Sequence, residues 1–184
     1  MINLNNRMGT IAKITETHPG LGKTAMMKFI FLLQMVYKVP LGYNFEIYTY
    51  GPYSSEVMED IDLAKHQNII SLETVAYPSG HSGYNLNPST NIEAILSEED
   101  EFISNYKDDI EQVINLFGNK TAKELELLTT IVYLYQTYNK NNWTSNLEEI
   151  SNNVHEIKPY FDISEIRKRY LYLDDLGFLS KTIE

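Results

Sequence analysis

The segment from Lys23 to Tyr37 limits the possible folds most, because its apolar residues lie on every side of a helix. Nearly all of its residues favour helix, and Pro40 and Gly42 follow shortly after to end it. A helix that is apolar all round must be covered by other elements, since no side of it suits water. The sequence therefore predicts that this segment is the central helix of the core.

A corner at Gly51-Pro52 separates a predicted strand from a predicted helix. The run from Phe45 to Tyr50 alternates well enough for a strand, and it stops at the corner because proline fixes φ and donates no N–H. Either Ser54 or Ser55 can cap the next helix by accepting from its first free N–H groups. That helix is expected over 54–67, with its inward face formed by Val57, Ile61 and Ala64.

A hairpin is predicted after this helix. The segment 69–77 and the segment 84–86 are typical of strands, and the turn 78–83 joins them. A short helix is predicted over 4–16 and a long one over 23–37. Helix, helix and then a hairpin is the order of a winged helix-turn-helix, here with an extra strand before the second helix.

The second half of the chain is predicted to be helical. Helices are expected over 97–117, 121–138, 145–155 and 162–176, and a last short strand over 178–182. Ser97 is predicted to open the first of these helices, and the pairs Thr121/Glu124 and Ser145/Glu148 are predicted to cap the next two.

The segments 61–72 and 173–180 both resemble a helix exit with a turn residue, Asn68 or Gly177, before an apolar run. A related helical unit in the second half is one hypothesis, and two unrelated helix ends are the other.

Together these patterns predict a mainly α fold with a small antiparallel sheet. We expect a winged helix-turn-helix core in residues 1–90 and a helical unit in residues 91–184, packed on it or merged with it into one domain.

The composition favours a cytoplasmic protein with no membrane partner. The chain has no cysteine, so disulfides and thiolate metal sites are excluded. Its longest apolar run, residues 29–36, is far shorter than the roughly 20 residues that span a bilayer. Residues 1–13 lack the apolar core of a signal peptide.

No motif predicts a catalytic residue, a bound cofactor or a metal ion. The segment Gly20-Leu21-Gly22-Lys23-Thr24 resembles a phosphate-binding loop, but Thr17 stands where that loop needs its first glycine, and Pro19 lacks an N–H donor. The four histidines are not spaced as metal ligands; they are His18, His66, His81 and His155. We therefore expect a protein that is not an enzyme.

The helix that begins near Ser54 is predicted to face a protein partner rather than DNA. A DNA-reading helix places its first side chains in the major groove, where the carboxylates of Glu56, Glu59 and Asp60 would meet phosphates. The predicted hairpin turn has no lysine or arginine either. The predicted partner-binding residues are Tyr53, Ser54, Ser55, Glu56, Glu59, Asp60, Ser79, His81, Ser82 and Trp143.

The alternative is a transcription regulator that binds DNA. The net charge is −10, but residues 1–45 carry five basic side chains against Glu16 alone. In this alternative, Lys13, Lys23 and Lys28 would contact phosphates beside the serines that start the helix. The sequence is also compatible with a homodimer.

The segments Met27-Lys28-Phe29-Ile30-Phe31-Leu32 and Tyr48-Thr49-Tyr50-Gly51-Pro52-Tyr53-Ser54-Ser55-Glu56-Val57 resemble a known signature. It is that of the YwgA-like and Panacea (SocA-like antitoxin) group of bacterial and phage proteins, and the likeness covers residues 23–73. The resemblance implies a winged-helix-like fold and a non-catalytic role as an antitoxin or protein adaptor. It implies no catalytic residues.

Overall fold

The computed structural model describes residues 4–76, 80 and 82–180. Its helices are α1 (Leu4–Thr17), α2 (Lys23–Met35), α3 (Ser55–His66), α4 (Ile92–Glu98), α5 (Asp100–Phe117), α6 (Ala122–Lys140), α7 (Leu147–Ile157) and α8 (Ile163–Asp175). Its strands are β1 (Leu21–Gly22), β2 (Glu46–Tyr48), β3 (Gly51–Tyr53), β4 (Ile70–Ala76) and β5 (Ser82–Pro88). The predicted fold class, mainly α with a small antiparallel sheet, is confirmed.

The chain forms two compact units that are not simple halves. The first contains residues 1–45 and 54–120, and the second contains residues 46–53 and 121–184. The predicted division near residue 90 differs from this, because α4 and α5 pack on α1 and α2 in the first unit.

The first unit has the element order that the sequence analysis predicts for a winged helix-turn-helix, helices α1, α2 and α3 followed by the β4–β5 hairpin. Its sheet is antiparallel with the order β1-β5-β4, and the hairpin of β4 and β5 pairs from Ile70 opposite Pro88 to Ala76 opposite Ser82. Short β1 joins the sheet where Leu21 lies opposite Leu86. Helix α2 is buried on every side, as its sequence predicts: every residue from Met26 to Leu33 is buried.

The second unit combines the short β2–β3 hairpin with three helices. Strand β3 packs against α6, and α6, α7 and α8 pack against one another. The strand predicted over 45–50 is thus half of a hairpin, because Gly51 turns the chain back so that Tyr48 pairs with it.

Several predicted helix ends differ in detail. Thr121 and Glu124 form the predicted capping box of α6. Helix α7 is capped by Asn146 instead of Ser145, because Asn146 Oδ1 accepts from the Glu149 N–H at 2.9 Å. Ser97 lies inside α4 rather than opening a helix. The predicted last strand is absent from its described part, residues 178–180; residues 181 and 182 lie outside the described chain.

Helices α3 and α8 bury the same pattern of positions. Three apolar residues of α3 have counterparts at identical spacing in α8: Val57, Ile61 and Ala64 correspond to Ile166, Tyr170 and Leu173, and all six are buried. Each helix is the last of three that pack together, α1–α2–α3 in the first unit and α6–α7–α8 in the second.

The two helices also end in the same way. Asn68 and Gly177 both adopt positive φ, 54° and 71°. The Ile69 N–H then donates to the Ala64 carbonyl at 2.9 Å, and the Phe178 N–H donates to the Leu173 carbonyl at 2.9 Å. This is the hydrogen-bond pattern of a helix closed by a left-handed residue. The two helix ends are therefore alike, but the strand that follows α3 has no counterpart in the described residues 178–180.

Candidate protein-binding site

A buried network around Arg7 fixes the N-terminal half of α3. The Arg7 side chain donates to the carbonyls of Leu41 and Gly42 at 2.8 Å each. Its guanidinium carbon lies 4.0 Å from the centroid of the Tyr43 ring, a cation–π contact. The Tyr43 hydroxyl in turn donates to Asp60 Oδ2 at 2.8 Å. Arg7 of α1 thereby contacts both the segment that follows α2 and helix α3, and holds the three together.

This network corrects the predicted orientation of two acids. Asp60 is 7% exposed and lies 3.5 Å from Arg7, so it points inward and is not a surface contact. Glu56 is half-buried, lies 3.5 Å from Arg7 and accepts from the Asn44 N–H at 2.9 Å. The sequence carried a signal for Asp60, since it lies three residues after Val57 on the inward face.

Desolvation changes the titration of this network. Burial raises the pKa of Asp60, although its hydrogen bond from Tyr43 and the charge of Arg7 both oppose the shift. Burial also raises the pKa of Tyr43, and the Asp60 charge adds to it. Asp60 is therefore a structural carboxylate, and keeping it charged in this buried position costs free energy.

The other predicted residues near the start of α3 are divided between the two units. Ser54 is buried and makes no side-chain cap bond, so its predicted role as a contact is wrong. Ser55 and Glu59 are exposed on α3 in the first unit. Tyr53 is exposed in β3, which belongs to the second unit.

The predicted hairpin-turn residues are only partly described. Ser82 is exposed at the first position of β5. Ser79 and His81 lie outside the described residues. Trp143 is 56% exposed in the loop after α6, and its ring packs edge-on against Tyr138 at 5.2 Å between centroids. This exposure is compatible with contact with a partner, and that contact stays a prediction.

The β2–β3 hairpin presents a group of exposed tyrosines, of which the sequence predicts only Tyr53 as a partner contact. Tyr48 is 64% exposed and Tyr50 is 68% exposed. The rings of Tyr48 and Tyr53 lie 5.6 Å apart on the paired strands. Tyr160, just after α7, is also exposed. We call Tyr48, Tyr50, Tyr53 and Tyr160 the tyrosine face.

A buried ion pair lies behind the tyrosine face. Lys158 and Glu126 are almost fully buried, and Lys158 Nζ lies 3.0 Å from Glu126 Oε1. Lys158 also donates to the carbonyls of Tyr48, at 3.1 Å, and Thr49. The Tyr160 hydroxyl donates to Glu126. This ion pair therefore holds both the hairpin turn and Tyr160 in place.

The glycine of the Gly51-Pro52 corner is required by this packing. Gly51 has φ +87°, a conformation that side chains rarely adopt. A Cβ on it would lie 3.1 Å from Thr130 Oγ1 and 3.3 Å from the Glu126 carbonyl oxygen. The hairpin backbone can therefore approach α6 closely only with glycine at this position.

The basic residues of the alternative DNA-binding interpretation are mostly occupied. Lys28 is 2% exposed and cannot reach a phosphate. Lys13 Nζ lies 2.7 Å from Glu16, and Lys23 Nζ lies 2.7 Å from Asp62. Lys23 also stands over the Tyr84 ring at 5.3 Å rather than in a phosphate-binding loop.

Within the described residues, no group of three or more acidic, histidine or cysteine side chains is arranged to hold a metal ion. None of the helices in that part of the chain is both long and apolar enough to cross a membrane.

Comparison with models of known protein families gives no match, and comparison with curated proteins gives no significant match. The resemblance to the YwgA-like and Panacea group therefore stays a prediction.

Proposed function

We propose that this chain is a non-catalytic, cytoplasmic protein-interaction module, antitoxin-like or regulatory, that binds a protein partner through the tyrosine face. The observation that carries the proposal is the exposure of Tyr48 and Tyr50 on the hairpin and of Tyr160 after α7, all linked to the Lys158–Glu126 ion pair or to the strand it holds. Tyrosine is enriched in protein interfaces, because it offers a large apolar ring, a polar tip and few rotatable bonds.

The ion pair behind the tyrosine face supports the proposal. Lys158 holds two hairpin carbonyls, and Glu126 holds the Tyr160 hydroxyl. Groups fixed before binding lose less conformational entropy in the complex. A buried ion pair adds little net stability by itself, so a positional role for it is our hypothesis.

In the first unit, Ser55 and Glu59 remain candidate contacts. A charge reversal at Asp60 is not a clean test of binding, because a second cation beside buried Arg7 would unfold the region. Glu59→Lys alone tests this side of the surface.

The test places a photo-crosslinking amino acid at Tyr50 and, in a matched control, at Tyr84. Tyr84 is also an exposed tyrosine on a hairpin strand, but it lies in the first unit. The bait is the product of the reading frame adjacent to this gene, co-expressed with each variant. We expect a crosslinked product at Tyr50, and its loss in Y48A/Y160A. Equal crosslinking at Tyr84, or none at Tyr50 while the two proteins still co-purify, would contradict the tyrosine face.

The antitoxin-like role has a separate readout. If the neighbouring product stops growth, co-expression of this chain should restore growth and Y48A/Y160A should restore less. Equal rescue by the wild type and by Y48A/Y160A would show that the antitoxin-like role does not depend on the tyrosine face.

A further inference from the structure

Helix α8 carries a basic stripe that the proposed function does not use. Its exposed residues repeat at helical spacing: Ser164, Arg167, Lys168 and Leu171. These positions share one face, while Ile166, Tyr170 and Leu173 form the buried face. A groove of about 510 Å³ runs along the helix beside Lys168 and Tyr172.

Two cations of the stripe are available. Arg169, next to them, is held by Glu124 at 3.2 Å. Arg167 and Lys168 form no ion pair with any described residue. Glu165 lines the groove, and Asp162 precedes the helix. The remaining acids of α8 lie at its other end, as Asp174 and Asp175.

Helix α8 occupies the position of the DNA-reading helix in a helix-turn-helix. It is the last helix of α6–α7–α8 and has the same buried pattern and the same closing hydrogen bonds as α3 of the first unit. In a helix-turn-helix, the corresponding helix enters the major groove with its N-terminal half on the duplex. In α8 that half is the basic one.

The equivalent positions of α3 show that the stripe is not a general property of such helices. Where α8 has Arg167 and Lys168, α3 has Met58 and Glu59. Two helices with the same buried pattern therefore differ at these positions: α8 has two cations and α3 has none.

We propose that α8 binds double-stranded DNA, with Arg167 and Lys168 contacting phosphates on either side of the groove that the helix enters. Cations supply most of the non-specific affinity for nucleic acid. The chain outside α8 is acidic in net charge and is repelled by DNA. The basic residues of its first 45 positions are mostly buried or ion-paired, so the contact is confined to this stripe. Duplex RNA fits less well, since its major groove is too narrow and deep for a helix.

The test is fluorescence anisotropy of the full chain with a labelled DNA duplex of about 20 base pairs over a salt series. We expect a dissociation constant of roughly 10–100 µM at low salt and a slope of log K against log salt near −2, about 0.9 per phosphate contacted. R167E/K168E should weaken binding at least about tenfold, while R167K/K168R should retain it.

The matched control is K65E/K107E. Both lysines are exposed, the change in net charge is the same, and both lie in the first unit, outside α8. We expect its affinity to stay within about twofold of the wild type at a given salt concentration. Circular dichroism and melting temperature check that each variant folds.

Four outcomes would overturn the proposal: no salt-dependent binding, an equal loss in K65E/K107E, tighter binding of duplex RNA, or equally effective competition by poly-glutamate of the same charge. The last would mean that the stripe recognises an acidic protein rather than a duplex.

Discussion

Helices α3 and α8 differ in what they expose, although they are built on one plan. Both bury three residues at the same spacing and both close on a left-handed residue. The equivalent polar position makes an ion pair in both helices, because Asp60 pairs with Arg7 of α1 and Arg169 pairs with Glu124 of α6. The charges of the two ion pairs are reversed. The comparison teaches that the buried residues determine how the helix packs, and that the exposed residues can differ and so determine what the helix binds.

The two units also share the composition of one buried network. In each, a cation donates to two successive carbonyls and pairs with a carboxylate that accepts from a tyrosine hydroxyl. In the first unit these are Arg7, Asp60 and Tyr43. In the second they are Lys158, Glu126 and Tyr160. Each network fixes a stretch of irregular chain that apolar packing alone would leave loose.

The largest effect is expected from Lys158→Met in the second network. It leaves Glu126 buried without its cation and should cost about 3–5 kcal/mol in unfolding free energy. Urea unfolding followed by the fluorescence of Trp143, the single tryptophan, reports on this unit. K158M/E126M should recover part of the loss, because it removes both charges. A loss under about 1 kcal/mol in K158M would show that the pair is not buried in solution.

The next prediction compares the arginines of the Arg7–Asp60 and Arg169–Glu124 ion pairs. Arg7→Met should cost about 3 kcal/mol, since Asp60 and two carbonyls lose a buried donor. Arg169→Met should cost less than about 1 kcal/mol, because both members of its pair are partly exposed. Thermal and urea unfolding measure both. Equal losses would break the distinction between the units.

A smaller difference is expected at two helix starts. Thr121→Ala removes the capping box of α6 and should cost about 1 kcal/mol. Ser54→Ala should cost almost nothing, because the Ser54 hydroxyl is buried and has no hydrogen-bond partner among the described residues. Matched urea curves for the two variants give the comparison. A larger loss for S54A would reveal a bond made in solution.

The smallest effect concerns pH. Burial raises the pKa of Asp60 in the folded chain, so the folded state binds this proton more tightly than the unfolded state. As pH falls through the folded-state pKa, the wild type should therefore gain stability relative to Asp60→Asn, and the gain should be lost as pH rises. Urea unfolding of both from neutral pH to about pH 4 measures it. E59Q serves as an exposed control. A wild type that loses stability relative to D60N as pH falls would refute the assignment.

The sequence predicts the frame well, because local periodicity carries that information. The all-round apolar pattern of α2, the hairpin of the first unit and the shared exits of α3 and α8 all follow from spacing. The Gly51-Pro52 corner is found where the sequence expects a change of direction.

The candidate site is harder to predict, because its contacts join residues far apart in the chain. Nothing next to Lys158 indicates that it reaches the carbonyls of Tyr48 and Thr49. Without that contact, the exposed tyrosines look like core residues. Asp60 is different: its spacing from Val57 and Ala64 places it on the inward face, but its charge favoured an outward prediction.

The small hairpin of residues 46–53 has a genetic consequence. It is encoded inside the first unit, yet its supports, Glu126 and Lys158, are encoded far downstream. A fragment that stops at residue 120 would keep the hairpin residues and lose Glu126 and Lys158. Recombination could therefore not exchange either unit as a single continuous piece of gene without breaking the other.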